Sequence, residues 1–215
     1  VIDCSGMTIL PGLIDLHVHT IMLTEDELKQ GLNSQTIAAT IIRGQKNLKD
    51  ALYNGVTTIR DCGSPHQGIF TLREMIKKKP GMILSGCALR STGGHAEMVT
   101  IKADGETEII KAVRSQIKAG AEWIKLMLTG GTATPGEKIT DLQYSLREVK
   151  TAVEEAHRKG VKVSAHISNL DGVHLALEAG VNCIQHGIEL NDQAIKIMVE
   201  NGTTLVPCTD RKSTR

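Results

Sequence analysis

At 215 residues the chain has the length of one large domain, or of one domain with an appendage. Hydrophobic residues make up 40% and charged residues 23%, with 25 Lys+Arg against 24 Asp+Glu for a formal net charge of +1, which excludes a disordered chain or a basic nucleic-acid binder. No apolar run approaches the roughly 18 residues of a membrane span, and one Phe, one Trp and two Tyr leave an aliphatic core with few stacking platforms.

The segments repeat one phrase: a helix, a small or polar residue, a glycine, then a short run rich in Val, Ile, Thr and Leu. Gly12 with LIDLHVH is the first strand. A helix over roughly 35–53 leads to Asn54-Gly55 and VTTIRD, one over roughly 68–79 to Pro80-Gly81 and MILSG, and one over roughly 106–119 to Gly120 and AEWIKL. Helices over roughly 145–159, 170–179 and 191–201 lead to Gly160 with VKVSAH, Gly180 with VNCIQH and Gly202 with TTLVPC. Glycine closes a helix because it tolerates the left-handed conformation, and a β-rich run directly after it marks an αβ junction. Ser145 and Glu148 form a capping-box pattern opening the fourth helix.

Helices alternating with apolar strands imply an α/β fold with a parallel sheet covered by helices. Seven βα units suit either a doubly wound sheet or a (β/α)8 barrel truncated after about strand seven, and periodicity does not separate them. The polar residues do. Asp61, Lys125, His166, His186 and Cys208 each fall at the C-terminal end of a different strand, the rim where barrels build their sites. No G-x-G-x-x-G or P-loop pattern follows any strand.

Five cysteines (Cys4, Cys62, Cys87, Cys183, Cys208) are odd in number and form no C-x-x-C pair. That argues for buried thiols in a reducing compartment, so a cytoplasmic location is the default expectation. The first residue is Val rather than Met, which leaves an upstream targeting segment open.

His17-Val-His19 is the sharpest motif. On a strand, residues i and i+2 share a face, about 7 Å apart, so two imidazoles converge on one ion of zinc-like chemistry. His166 and His186 end consecutive strands at matching offsets and join them as expected ligands. Lys125 sits inside the apolar run from Trp123 to Leu128, where a bare ammonium is costly. Carboxylation by carbon dioxide neutralises it and yields a bridge between two cations that share one hydroxide. A lysine reaching out from the strand end is the structural alternative. His157 fits the last turn of a helix, where it meets the dipole, and Asp61 is expected to support the rim.

Together Pro11 to His19, Gly55 to Gly63, Gly93-Gly-His95, Trp123-Ile-Lys125 with Thr129-Gly-Gly131, Ala165-His166 and Gln185-His186-Gly187 resemble the amidohydrolase superfamily. Within it they look most like the imidazolonepropionase-related branch that includes binuclear Xaa-Pro dipeptidases. The resemblance implies a distorted barrel with a small β-sandwich: residues 1–10 as a sandwich remnant, 11–209 as an incomplete barrel, and 210–215 outside both. It implies two divalent ions, zinc by preference, with His17 and His19 on the first, His166 and His186 on the second, and carboxylated Lys125 between them. His95 and Tyr144 match positions that hold the substrate, and Arg90 is a candidate carboxylate clamp.

The implied activity is hydrolysis of a C–N bond in a small substrate such as an Xaa-Pro dipeptide or an N-acyl amino acid. The expected partners are that small molecule and, for a longer parent, further copies of itself, with no nucleic acid and no membrane. The pattern also calls for a proton-shuttling aspartate ending strand eight, and the chain has none, so on this reading the fragment is inactive. The tail from Asp210 to Arg215 breaks the βα rhythm and back-translates into a sequencing-adapter read-through, so it is expected to be non-native. Mononuclear imidazolonepropionase-like chemistry and a non-catalytic barrel scaffold are the alternatives.

Overall fold

A computed structural model describes residues 2–23, 36–131 and 136–208; the tail expected to be non-native, Asp210 included, lies outside them. The elements in order are β1 (Leu13–Val18), α1 (Ile37–Tyr53), β2 (Val56–Asp61), α2 (Gly68–Met75), β3 (Gly81–Leu84), β4 (Ala88–Arg90), a 3-10 turn (Glu97–Val99) and β5 (Thr100–Lys102). There follow α3 (Gly105–Ala119), β6 (Trp123–Met127), α4 (Leu146–His157), β7 (Lys162–Ile167), α5 (Leu170–Ala179), β8 (Cys183–His186), α6 (Asp192–Asn201) and β9 (Thr204–Val206). Every strand pairing is parallel, in the orders β1-β2-β3 and β5-β4-β6-β7-β8-β9.

The expected glycine junctions are there at Gly55, Gly120, Gly160, Gly180 and Gly202, all with positive φ. The junction at Gly81 is a correction. There α2 stops at Met75, because Ile76 turns extended (ψ 111°), and Gly81 is already the first residue of a strand. The strand expected there, MILSG, stops at Leu84, short of Gly86, whose φ of 69° no β residue adopts easily, and β4 and β5 beyond it are additional strands that pair with each other. The stretch after Leu84 also joins the two sheets. Ser85 N–H donates to Asp61 O (3.2 Å), Ser64 N–H to Gly86 O (2.9 Å) and Glu122 N–H to Leu84 O (2.9 Å).

Strand alternation sorts the two faces. Ile124, Leu126, Val163, Ala165, Ile167 and Ile184 point outward into the larger apolar cluster under α3 to α6. Ile59, Met82 and Leu84 serve a smaller cluster under α1 and α2. Each fully buried aliphatic side chain of this kind contributes about 1.5–3 kcal/mol.

The alternate residues, including Arg60, Lys125, Ser164, Cys183 and Gln185, are also buried, but on the inner face. Arg60 Nη2 donates to Cys183 Sγ at 3.2 Å and Gln185 Nε2 to Cys62 Sγ at 3.1 Å. On a flat sheet β2 and β8 would be four strand spacings apart, about 19 Å. Their side-chain contact means that the sheet curls to face itself, with β1 and β9 at its margins. Leu13 and Ile14 on β1 are exposed. Among the described residues no helix is long and apolar enough to cross a membrane.

Candidate metal centre

At the C-terminal ends of the strands, the curled sheet encloses a cavity of about 660 Å³ lined by His17, His19, His95, Lys125, His166 and His186 among others. The four strand histidines form a chain of rings. Centroids are 5.4 Å apart for His17 and His19, 4.8 Å for His17 and His186, and 4.7 Å for His166 and His186. So the expected ligands do come together, although 169 positions (186 − 17) separate the first from the last.

The turn around His19 selects its tautomer. His19 Nδ1–H donates to Gly63 O at 2.8 Å, which leaves the Nε2 lone pair for an ion. Asp61, the expected rim support, fixes that turn by accepting from Thr20 N (2.7 Å), Gly63 N (3.2 Å) and Ser64 Oγ (3.0 Å). Burial pushes its carboxyl upward, while His19 and these donors oppose the rise. His166 Nε2 lies 3.4 Å from Gly130 O and 3.3 Å from Ser168 Oγ. His186 ends β8 in the left-handed region, φ 69°, a conformation costly for a residue with a Cβ and common where geometry serves a site.

Burial holds the His17, His19 and His166 imidazoles well below their ordinary range, and the nearby Lys125 adds to this in all three. Neutral imidazole is the form that ligates. Lys125 is 1% exposed, and its Nζ has no hydrogen-bond partner. Burial lowers its pKa to about 8, so a fraction is free amine near neutrality. An orphaned buried amine beside four imidazoles fits a carbamate bridge between cations better than it fits a snorkelling lysine.

His95 also reaches the cavity. Its ring stacks on His166 at 4.4 Å, and Nδ1–H donates to Glu137 Oε2 at 2.8 Å. Gln143 completes the support, accepting from His95 N (3.0 Å) and donating to Glu137 Oε1 (3.3 Å). A Cβ on Gly131 would overlap the His95 ring, which explains the glycine in that motif. Glu137 and Gln143 are absent from the sequence-based site, because they lie in a loop with no periodicity to mark them.

Tyr144 and Arg90 are placed elsewhere. Tyr144 packs in the large apolar cluster, its hydroxyl donating to Ala103 O at 3.1 Å, and is not among the cavity-lining residues. It precedes the capping box of α4, where Ser145 Oγ accepts from Glu148 N and Glu148 Oε2 from Ser145 N, and that anchorage turns its ring into the core. Arg90 pairs with Glu97 at 2.8 Å, also off the cavity lining. His157 lies in the last turn of α4 as expected, its Nε2 2.7 Å from Asn182 Oδ1.

The amidohydrolase family model matches residues 8–214. An uncharacterized protein of Mycobacterium tuberculosis is 30% identical over 207 residues, 94% of this chain and 51% of that protein. The ochratoxinase of Aspergillus niger is 28% identical over 227 residues, 92% of this chain and 47% of that enzyme. A prolidase crystallised with N-methylphosphonate-L-proline superposes with a TM-score of 0.85 at 30% identity, covering 96% of this chain and 55% of that one. The chain thus spans about half the length of the curated relatives it matches. With the family model matching nearly the whole sequence and a prolidase superposing on the same parallel α/β fold, this chain belongs to the amidohydrolase family.

Proposed function

We propose that the chain forms part of a metal-dependent hydrolase of amide-type C–N bonds in small substrates. The observation that carries this reading is the convergence of His17, His19, His166 and His186 around the partnerless ammonium of Lys125 in one cavity. Divalent ions held there, zinc by ligand chemistry, would lower the pKa of water and polarise a scissile carbonyl. His17 and His19 hold one ion, His166 and His186 the other, and Lys125 bridges as its carbamate. Glu137 fixes the tautomer of His95, so that its Nε2 serves the substrate side.

Xaa-Pro dipeptides and N-acyl amino acids are the proposed substrate class. The likeness to a prolidase and to ochratoxinase supports it. The sheet is proposed to be a (β/α)8 barrel whose eighth unit packs between β9 and the exposed apolar edge of β1 and carries the proton-shuttling aspartate. Residues 1–10 belong to a β-sandwich in that arrangement. The partner is a small molecule and the setting cytoplasmic. Metal analysis of the full-length protein, followed by assay against Xaa-Pro dipeptides and N-acyl amino acids, tests the reading. Two divalent ions per chain and hydrolysis are expected; a metal-free protein that stays inactive after metal is added overturns it.

A further inference from the structure

Cys208, just beyond β9, lines the same cavity. Its Sγ is 3.2 Å from Nδ1 of His17, and the donor atoms of His17, His186 and Cys208 all lie within 4.8 Å of one another. Ligand atoms around a tetrahedral zinc-like ion, at metal distances of about 2.0–2.3 Å, stand roughly 3.3–3.8 Å apart, so small side-chain adjustments bring these three onto one ion. A second observation points to a cation here: the buried Lys125 amine, facing the same space, has no hydrogen-bond partner.

We propose that, when a single borderline or soft divalent ion of the zinc and cadmium class is bound, His17, His186 and Cys208 form a mixed imidazole–thiolate donor set for it, in place of the two-ion sharing of His17 and His186. The histidine and lysine ligands already assigned do not include this sulfur. Binding forms a sulfur–metal bond and releases the thiol proton to solvent; no electron is transferred. A site of two nitrogens and one sulfur leaves the fourth tetrahedral position open. A thiolate also favours softer ions over magnesium or manganese, so Cys208 sets which metal the rim retains. The inference rests on the cluster being a metal centre, but not on any substrate.

Cadmium alone, titrated into metal-free protein, tests it, because a sulfur-to-cadmium charge-transfer band in the ultraviolet has no imidazole or amine counterpart. The expected result is a band that saturates with bound cadmium, together with protection of Cys208 from iodoacetamide, read by peptide mapping of the unaltered protein. Cys208→Ser loses the band and binds cadmium at least about tenfold more weakly. Cys4→Ser keeps the band and the affinity. Cadmium binding without a band, or a band that survives in Cys208→Ser, overturns the thiolate ligand and leaves the histidine centre standing. Failure to bind cadmium at all overturns both.

Discussion

His19 and Gly63 are joined by a 2.8 Å hydrogen bond from imidazole Nδ1–H to carbonyl oxygen, and Asp61 holds both partners through the amides of Thr20 and Gly63. Asp61→Asn keeps the shape but replaces an acceptor with a donor against one of these amides. Metal affinity is expected to fall about 10–100-fold, and a buried donor set against a donor costs about 1–3 kcal/mol. Metal titration and urea unfolding of the variant measure the two effects separately.

Lys125→Met gives effects of opposite sign on stability and on metal binding. Methionine fills similar space without a buried partnerless amine, so the metal-free protein is expected to gain about 1–3 kcal/mol. The metal count is expected to drop from two per chain to one. Calorimetry without metal and elemental analysis with it check both. A metal count that stays at two removes the lysine from the bridge.

Acid weakens the metal-free protein. Burial keeps His17, His19, His66 and His166 below the ordinary imidazole value of 6.5 in the folded state. The unfolded chain therefore takes up protons first, and stability present above pH 6.5 is lost progressively as pH falls below it. For His66 the cause is burial, and its Nδ1 also accepts from Gly68 N–H at 3.0 Å, an acceptor that protonation would remove. Melting midpoints between pH 7.5 and 5 should decline, less steeply in His66→Gln. Metal affinity should fall over the same range, since protons and ions compete for the rings.

Tyr144→Phe separates packing from substrate contact. Loss of the hydroxyl bond to Ala103 O is expected to cost about 1 kcal/mol of stability, with KM unchanged in the full-length enzyme. A raised KM at unchanged stability would put Tyr144 at the substrate after all. Glu137→Gln should lower both stability and activity, costing about 1–3 kcal/mol because its amide nitrogen meets a donor of His95 or Gln143, and weakening substrate turnover through a misoriented His95.

The cavity-lining strand residues were legible in the sequence because they sit on strands, where the αβ glycine fixes the register and a two-residue period fixes the face. His17, His19, Lys125, His166 and His186 all follow that logic. Glu137 and Gln143 do not: they are in a loop, and what brings them to His95 is the path of the chain, which has no period. Tyr144 shows the opposite failure. A polar aromatic just before a helix matched a substrate position in sequence, yet the capping box beside it sets the backbone so that its ring enters the core. The early end of β3 was hidden for a similar reason, since the run from Gly81 to Gly86 reads as one strand although it stops at Leu84, before the positive φ of Gly86.

The contact between His17 and Cys208 closes a loop of 191 residues, and Arg60 with Cys183 closes one of 123. Such pairings carry a large loop-closure entropy and form late. At about 5–20 residues per second, roughly 10–40 s of synthesis separate the two residues of the longer pair. Through that interval the His17-Val-His19 strand has no partner across the cavity, and its exposed apolar edge has nothing to pack on. The emerging chain therefore depends on the cell to keep both that edge and its unshared imidazoles from wrong partners until the segment that carries Cys208 has left the ribosome.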